Sequence, residues 1–192
     1  MRRLYFGDSY DIVKKSLISW LADFGPWSLQ PMFTEPVAPA EARWFAHFLG
    51  AQLVSDQELT PTVDRDDFFA SSRATHSLFL DPNTGLAREV RPSRRPHYLL
   101  FGELADLVAA RPRALTLVFD QSIGYAKDEL RRQALQSKLR SLSTLGVFGS
   151  YYFSHAPCLI ASGDSSVVTA ASRILIERFQ LPQCRLLSLP AP

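Results

Sequence analysis

With 192 residues, 46% of them hydrophobic and 21% charged, the chain is long enough for one sizeable core and too apolar for extensive disorder. Its two cysteines, Cys158 and Cys184, are too few for a disulfide framework and lack the paired spacing of a zinc site, so both are assigned to the core. The net charge of +2 hides an asymmetry: residues 1–87 carry seven Lys/Arg against eleven Asp/Glu, and residues 88–192 carry fourteen against eight.

Taken in order, Leu4-Tyr5-Phe6-Gly7-Asp8-Ser9 reads as a short strand ending in a carboxylate, with Asp8 or Ser9 capping a helix to about Phe24. Met1-Arg2-Arg3 runs straight into that strand, unlike the long apolar region of a signal peptide, and no stretch approaches a membrane span. The expected compartment is cytoplasmic, with no membrane partner. Trp27 to Glu35 is a second strand, placed at an edge or bulge by Pro31. Ala40–Leu49 reads as a helix ended by Gly50, and Gln52-Leu53-Val54 as a short strand. Thr60 to Asp67 is a charged loop that contains a helix start.

Ser77-Leu78-Phe79-Leu80-Asp81-Pro82 is the most informative stretch. Its apolar run without polar alternation fits a strand covered on both faces, and Pro82 ends the ladder. Residues 87–97, with two prolines and Arg88, Arg91, Arg94 and Arg95, read as an exposed loop. A helix from Tyr98 to Ala110 then crosses back to Leu115-Thr116-Leu117-Val118-Phe119-Asp120, which makes those two strands parallel. A long charged helix follows over about Tyr125–Leu145. Val147–Ser154 and Cys158–Ser162 are too close for a crossover and form an antiparallel hairpin or one bent strand. A helix begins at Gly163-Asp164-Ser165, and Arg185–Ser188 can add a last strand. The pattern predicts a single α/β domain over residues 1–192, a three-layer Rossmann-like fold with a mainly parallel sheet and an antiparallel C-terminal hairpin.

Three apolar runs ending in aspartate suggest a site. If their strands are parallel neighbours, Asp8, Asp81 and Asp120 converge at the rim where open α/β sheets bind ligands. Clustered carboxylates repel unless neutralised, which points to a divalent cation, Mg²⁺ or Mn²⁺, with the three aspartates as its ligands. Taken alone, each aspartate reads first as local structure, Asp8 and Asp120 as caps and Asp81 as an Asx-type turn; three together point to a rim. Arg88, Arg91, Arg94 and Arg95 are candidates to hold substrate phosphates, with Arg131, Arg132, Lys138 and Arg140 on the long helix, although charged helix faces are commonly just solvated. His155, just beyond an aromatic strand, is a candidate acid or base.

No P-loop, glycine-rich dinucleotide fingerprint or Gly-x-Ser-x-Gly elbow is present. The reading that follows is a metal-dependent phosphodiesterase or nuclease-like hydrolase, with nucleic acid or nucleotide phosphates as partner. The alternative is a non-catalytic α/β binding or interaction module in which the Arg-rich loop and aromatics such as Trp27 and Trp44 face a partner protein or nucleic acid, and a homo-oligomer is a further candidate. A third reading is a nucleotide- or nucleoside-processing enzyme that uses the same rim without metal.

Overall fold

A computed structural model describes residues 3–74, 76–124 and 127–189. The first apolar run is not a strand. Arg3–Tyr5 forms one 3-10 turn with Leu4 84% exposed, and Gly7 then turns the chain. The Asp8 carboxylate accepts the N–H groups of Tyr10 and Asp11, which starts helix α1 (Ser9–Trp20) at once. Capping therefore leaves too few residues for a strand, and a short 3-10 turn, Ala22–Phe24, closes the segment that was expected to stay helical.

Strand β1 (Trp27–Pro31) comes next, followed by α2 (Pro39–Leu49), β2 (Gln52–Leu53), α3 (Arg65–Ala70) and β3 (Ser77–Asp81). The chain continues through β4 (Gly85–Ala87), β5 (Tyr98–Leu100), α4 (Phe101–Ala110), β6 (Thr116–Phe119) and α5 (Asp128–Ser143). It ends with β7 (Phe148–Tyr152), β8 (Cys158–Ser162), α6 (Ser165–Glu177) and β9 (Leu186–Ser188). The start expected for α5, at Tyr125, lies outside the described residues.

Seven strands form one sheet in the order β2-β1-β3-β6-β8-β7-β9. The first four are parallel; β8 runs antiparallel to both β6 and β7, and β9 antiparallel to β7. Five strands thus point one way. β1 is interior, not the edge that Pro31 suggested. Leu29 accepts from Val54 on the β2 side, so Pro31, two residues on, faces that side beyond the last β2 residue, where no ladder bond is required of it. On the other side the ladder to β3 resumes at Met32 N–H, which donates to Asp81 O.

Two apolar layers cover the sheet. Leu17 of α1, Phe45 and Leu49 of α2 and Leu175 of α6 pack with Leu29, Phe79, Leu117 and Ile160 on one face. Phe68 of α3, Leu104 of α4 and Leu135 and Leu139 of α5 pack with Leu78, Leu80, Val118 and Leu159 on the other. The arrangement is that of a three-layer α/β fold. Cys158 and Trp27 are in the core, whereas Cys184 and Trp44 are exposed, so Cys184 is not the core residue expected. No helix among the described residues is long and apolar enough to cross a membrane.

The arginine-rich segment is more ordered than its composition suggested. β4 and β5 pair in parallel as a separate two-stranded ladder, and Pro92–His97 forms a 3-10 helix between them. Arg65 holds this unit by donating to Arg95 O and Tyr98 O and ion-pairing with Glu103. Glu103 also accepts the N–H of Leu100, so α4 starts at Phe101 and the three residues before it are free to form β5.

Candidate functional site

β3 and β6 are adjacent and parallel, and their C-terminal ends open onto a cleft of about 590 Å³. Its walls include Asp8, Asp11, Lys14, Asp81, Asp120, Arg131 and His155. Three of the four residues expected to be catalytic, Asp81, Asp120 and His155, reach the cleft from or just beyond strand ends. Asp8 reaches it from the cap of α1 instead.

The register decides what the two strand-end aspartates can do together. Leu80 stands opposite Val118, which puts Asp81 level with Phe119 and Asp120 one residue further on. Side chains alternate along strands, so the two carboxylates are directed to opposite faces of the sheet. A lysine meets each one. On the α1 face, Lys14 Nζ lies 2.8 Å from Asp11 Oδ1, 3.0 Å from Asp81, and 4.1 Å from the centre of the Phe119 ring. On the α5 face, Lys138 Nζ donates to Asp120 Oδ2 at 2.6 Å and to Leu86 O at 2.7 Å.

Asp120 is saturated. Oδ1 accepts from Leu86 N–H, Ser122 N–H and the Ser122 hydroxyl, and Oδ2 accepts from the Tyr151 hydroxyl in addition to Lys138. Burial opposes its charge, but Lys138 and these hydrogen bonds prevail and hold its carboxyl below the usual value. Burial, reinforced by the Asp120 charge, pushes the Tyr151 hydroxyl well up, so it stays a donor. This side of the rim is a structural knot.

The Lys14 side is different, because one ammonium is shared by two carboxylates. Burial opposes the charge of Lys14, but the attraction of Asp81 and Asp11 outweighs it and holds the ammonium above its ordinary value. Burial raises the Asp11 carboxyl; Lys14 offsets part of that rise and Asp81 adds to it. Lys14 is only 3% exposed yet lines the cleft, so a permanent cation sits at its floor among Asp8, Asp11 and Asp81. The Cys158 thiol is buried beneath, and burial pushes it up out of nucleophilic range.

The three aspartates do not converge as the expected metal ligands. Among the described residues, no three His, Cys, Asp or Glu side chains are grouped to hold an ion. The donor set explains why: ammonium groups occupy the oxygens of Asp81 and Asp120, and Asp8 Oδ1 caps a helix. These residues do not fit a resident divalent cation.

Nor do Arg88, Arg91, Arg94 and Arg95 line the cleft. Arg88 donates to Ser141, Arg94 to Tyr98, and Arg95 lies 3.6 Å from Glu103. The arginine at the cleft is Arg131, which donates to Ser154 O at 2.7 Å. Asp11 and Lys14 carried a readable signal. They fall in phase with Leu17, Ile18 and Leu21, so the buried face of α1 includes two charged residues. Lys138 likewise lies in phase with Leu135 and Leu142.

No protein-family model matches the chain, and neither a curated protein nor a solved structure matches it.

Proposed function

We propose that the chain is a Rossmann-like α/β hydrolase of phosphate esters, phosphodiesterase- or nuclease-like, with the cleft at the β3 and β6 ends as its reaction site. The observation that carries this reading is the buried Lys14 between Asp11 and Asp81 at the cleft floor. Burying an ammonium together with its two carboxylates costs several kcal/mol of desolvation that an all-apolar cluster of the same volume would avoid, so a buried charged cluster beside a solvent-open cleft favours function over stability. The position suits ligand binding, since open α/β sheets take ligands at the carboxyl ends of parallel strands.

Each wall has a part in this reading. Arg131 receives the phosphate through charge-assisted hydrogen bonds. Lys14 supplies fixed positive charge where negative charge grows in the transition state. His155 is exposed at the mouth, where its imidazole moves the proton between water and leaving group. Tyr5 and Tyr10 give the wall an aromatic surface suited to a planar group such as a nucleobase.

A second reading makes the hydrolysis metal-dependent, with Mg²⁺ or Mn²⁺ entering together with substrate phosphates. It is favoured by the excess of carboxylates, Asp8, Asp11 and Asp81, over the cations Lys14 and Arg131. Turnover of bis-para-nitrophenyl phosphate and of dinucleotides, with EDTA and with added Mn²⁺, tests both. Activity in EDTA, lowered at least about 100-fold in His155→Ala, supports the first reading. Activity only with Mn²⁺ supports the second. No turnover of any phosphate ester under either condition overturns both.

A further inference from the structure

Beyond the cleft, three arginines gather on one short segment. Arg131 donates to Ser154 O and its guanidinium lies 5.0 Å from the Phe153 ring centre. Arg132 lies 4.2 Å from the same ring and donates to Cys184 O through both terminal nitrogens. Arg185 donates to Phe153 O at 3.4 Å. The three side chains come from the start of α5 and from the turn before β9, and all reach the chain just past β7.

Their partners decide what the cluster is for. All three donate to backbone carbonyls, which position a guanidinium without neutralising it. Among the described residues, the one carboxylate in ion-pair range of these arginines is Asp128, 3.4 Å from Arg131 and itself 75% exposed, a weak pair in water. Elsewhere the rim is acidic. The cation cluster therefore begins at the cleft with Arg131 and continues away from it through Arg132 and Arg185, neither of which lines the cleft. A mononucleotide held in the cleft would use only the first of them.

We propose that Arg131, Arg132 and Arg185 form a platform for the phosphates of single-stranded nucleic acid, whose reacting nucleotide lies in the cleft. The proposal rests on the phosphate-ester reading of that cleft and extends it to a polymeric substrate. Three guanidiniums grouped around Phe153 offer charge and bidentate hydrogen bonding to the phosphates of a strand. A single strand suits the geometry because its bases are free to enter the cleft while the backbone follows the arginines.

Fluorescence anisotropy with a short labelled single-stranded oligonucleotide tests the platform over a range of salt concentrations. The proteins are the wild type, Arg132→Gln/Arg185→Gln, and Arg88→Gln/Arg94→Gln as a charge-matched control, each checked by thermal melting. Each neutralised phosphate contributes about −0.7 to the slope of log affinity against log salt. The platform variant should lose about 1.4 of slope and at least about tenfold in low-salt affinity, with the control unchanged. Equal losses in both doubles, affinity that does not depend on Arg132 and Arg185, or no binding at low salt overturns the platform.

Turnover of the small phosphodiester separates this proposal from the one it rests on. Hydrolysis that persists while oligonucleotide binding ignores Arg132 and Arg185 overturns the platform and leaves the cleft reading standing. Strand binding that needs both arginines, with no phosphate ester hydrolysed, supports the platform and overturns the cleft chemistry.

Discussion

Asp120 shows how one carboxylate can organise a rim without being free to react. It has no exposed surface, and its two oxygens take hydrogen bonds from Leu86, Ser122, Tyr151 and Lys138. Changing it to Asn leaves the Lys138 ammonium without its counter-charge and should cost about 3 kcal/mol at neutral pH. The pH dependence has a definite sign. The folded-state value is depressed, so the stabilisation is fully present above the unfolded value, about 4, and fades as pH falls through the lower folded value. Urea unfolding of wild type and Asp120→Asn should show a wide gap at neutral pH that narrows in acid. A gap of constant width would show that the charge of Asp120 does not hold the knot.

Lys14 makes the complementary case. Lys14→Met keeps the apolar stem but strands Asp11 and Asp81, two carboxylates buried without their shared cation. The single substitution should destabilise by about 3 kcal/mol, and adding Asp81→Asn should recover part of the loss. Chemical denaturation of the single and double variants measures the recovery. No recovery would mean that Lys14 and Asp81 are not energetically coupled.

At the scale of elements, the turn from β3 into β4 fixes the rim. Gly85 has φ +134°, a region that L side chains rarely adopt, and an added Cβ would collide with Asp120 Oδ1. Strain and collision act together at this site, so Gly85→Ala should lose about 3 kcal/mol, seen as a lower urea midpoint with little change in slope. Wild-type stability would show that the backbone here is not held against Asp120.

The elements also show what the sequence made legible. β3, β6 and the cap at Asp164 follow from local chemistry, an apolar run with a stop or a side-chain oxygen before a helix, and the helix start in the Thr60 to Asp67 loop resolves to a cap at Asp64. Leu4–Phe6 misled because three apolar residues look alike at the start of a strand and in an exposed turn; only the cap that follows distinguishes them. The register between β3 and β6 is non-local and could not be read. One residue of offset directs Asp81 and Asp120 to opposite faces and replaces a shared ion with two separate lysine pairs.

At the scale of the whole molecule, the site stands on the centre of the sheet. β3 and β6 occupy the third and fourth places of seven, covered on both faces, while β2 and β9 are edge strands of two and three residues. Edge strands open without unfolding the rest, whereas central amides exchange only when the domain unfolds. Amide hydrogen exchange should therefore find Leu80 and Val118 among the slowest sites and Leu53 and Leu187 orders of magnitude faster. Equal protection at β9 and β6 would mean that the sheet opens as one unit. The expected gradient has a chemical consequence. It fixes Asp81, and through it Lys14, to the least mobile part of the fold, while His155, in the connection between β7 and β8, remains exposed at the mouth. In the proposed hydrolysis, a fixed cation beneath the exposed imidazole would keep the electrostatics of the cleft constant while protons move at its mouth.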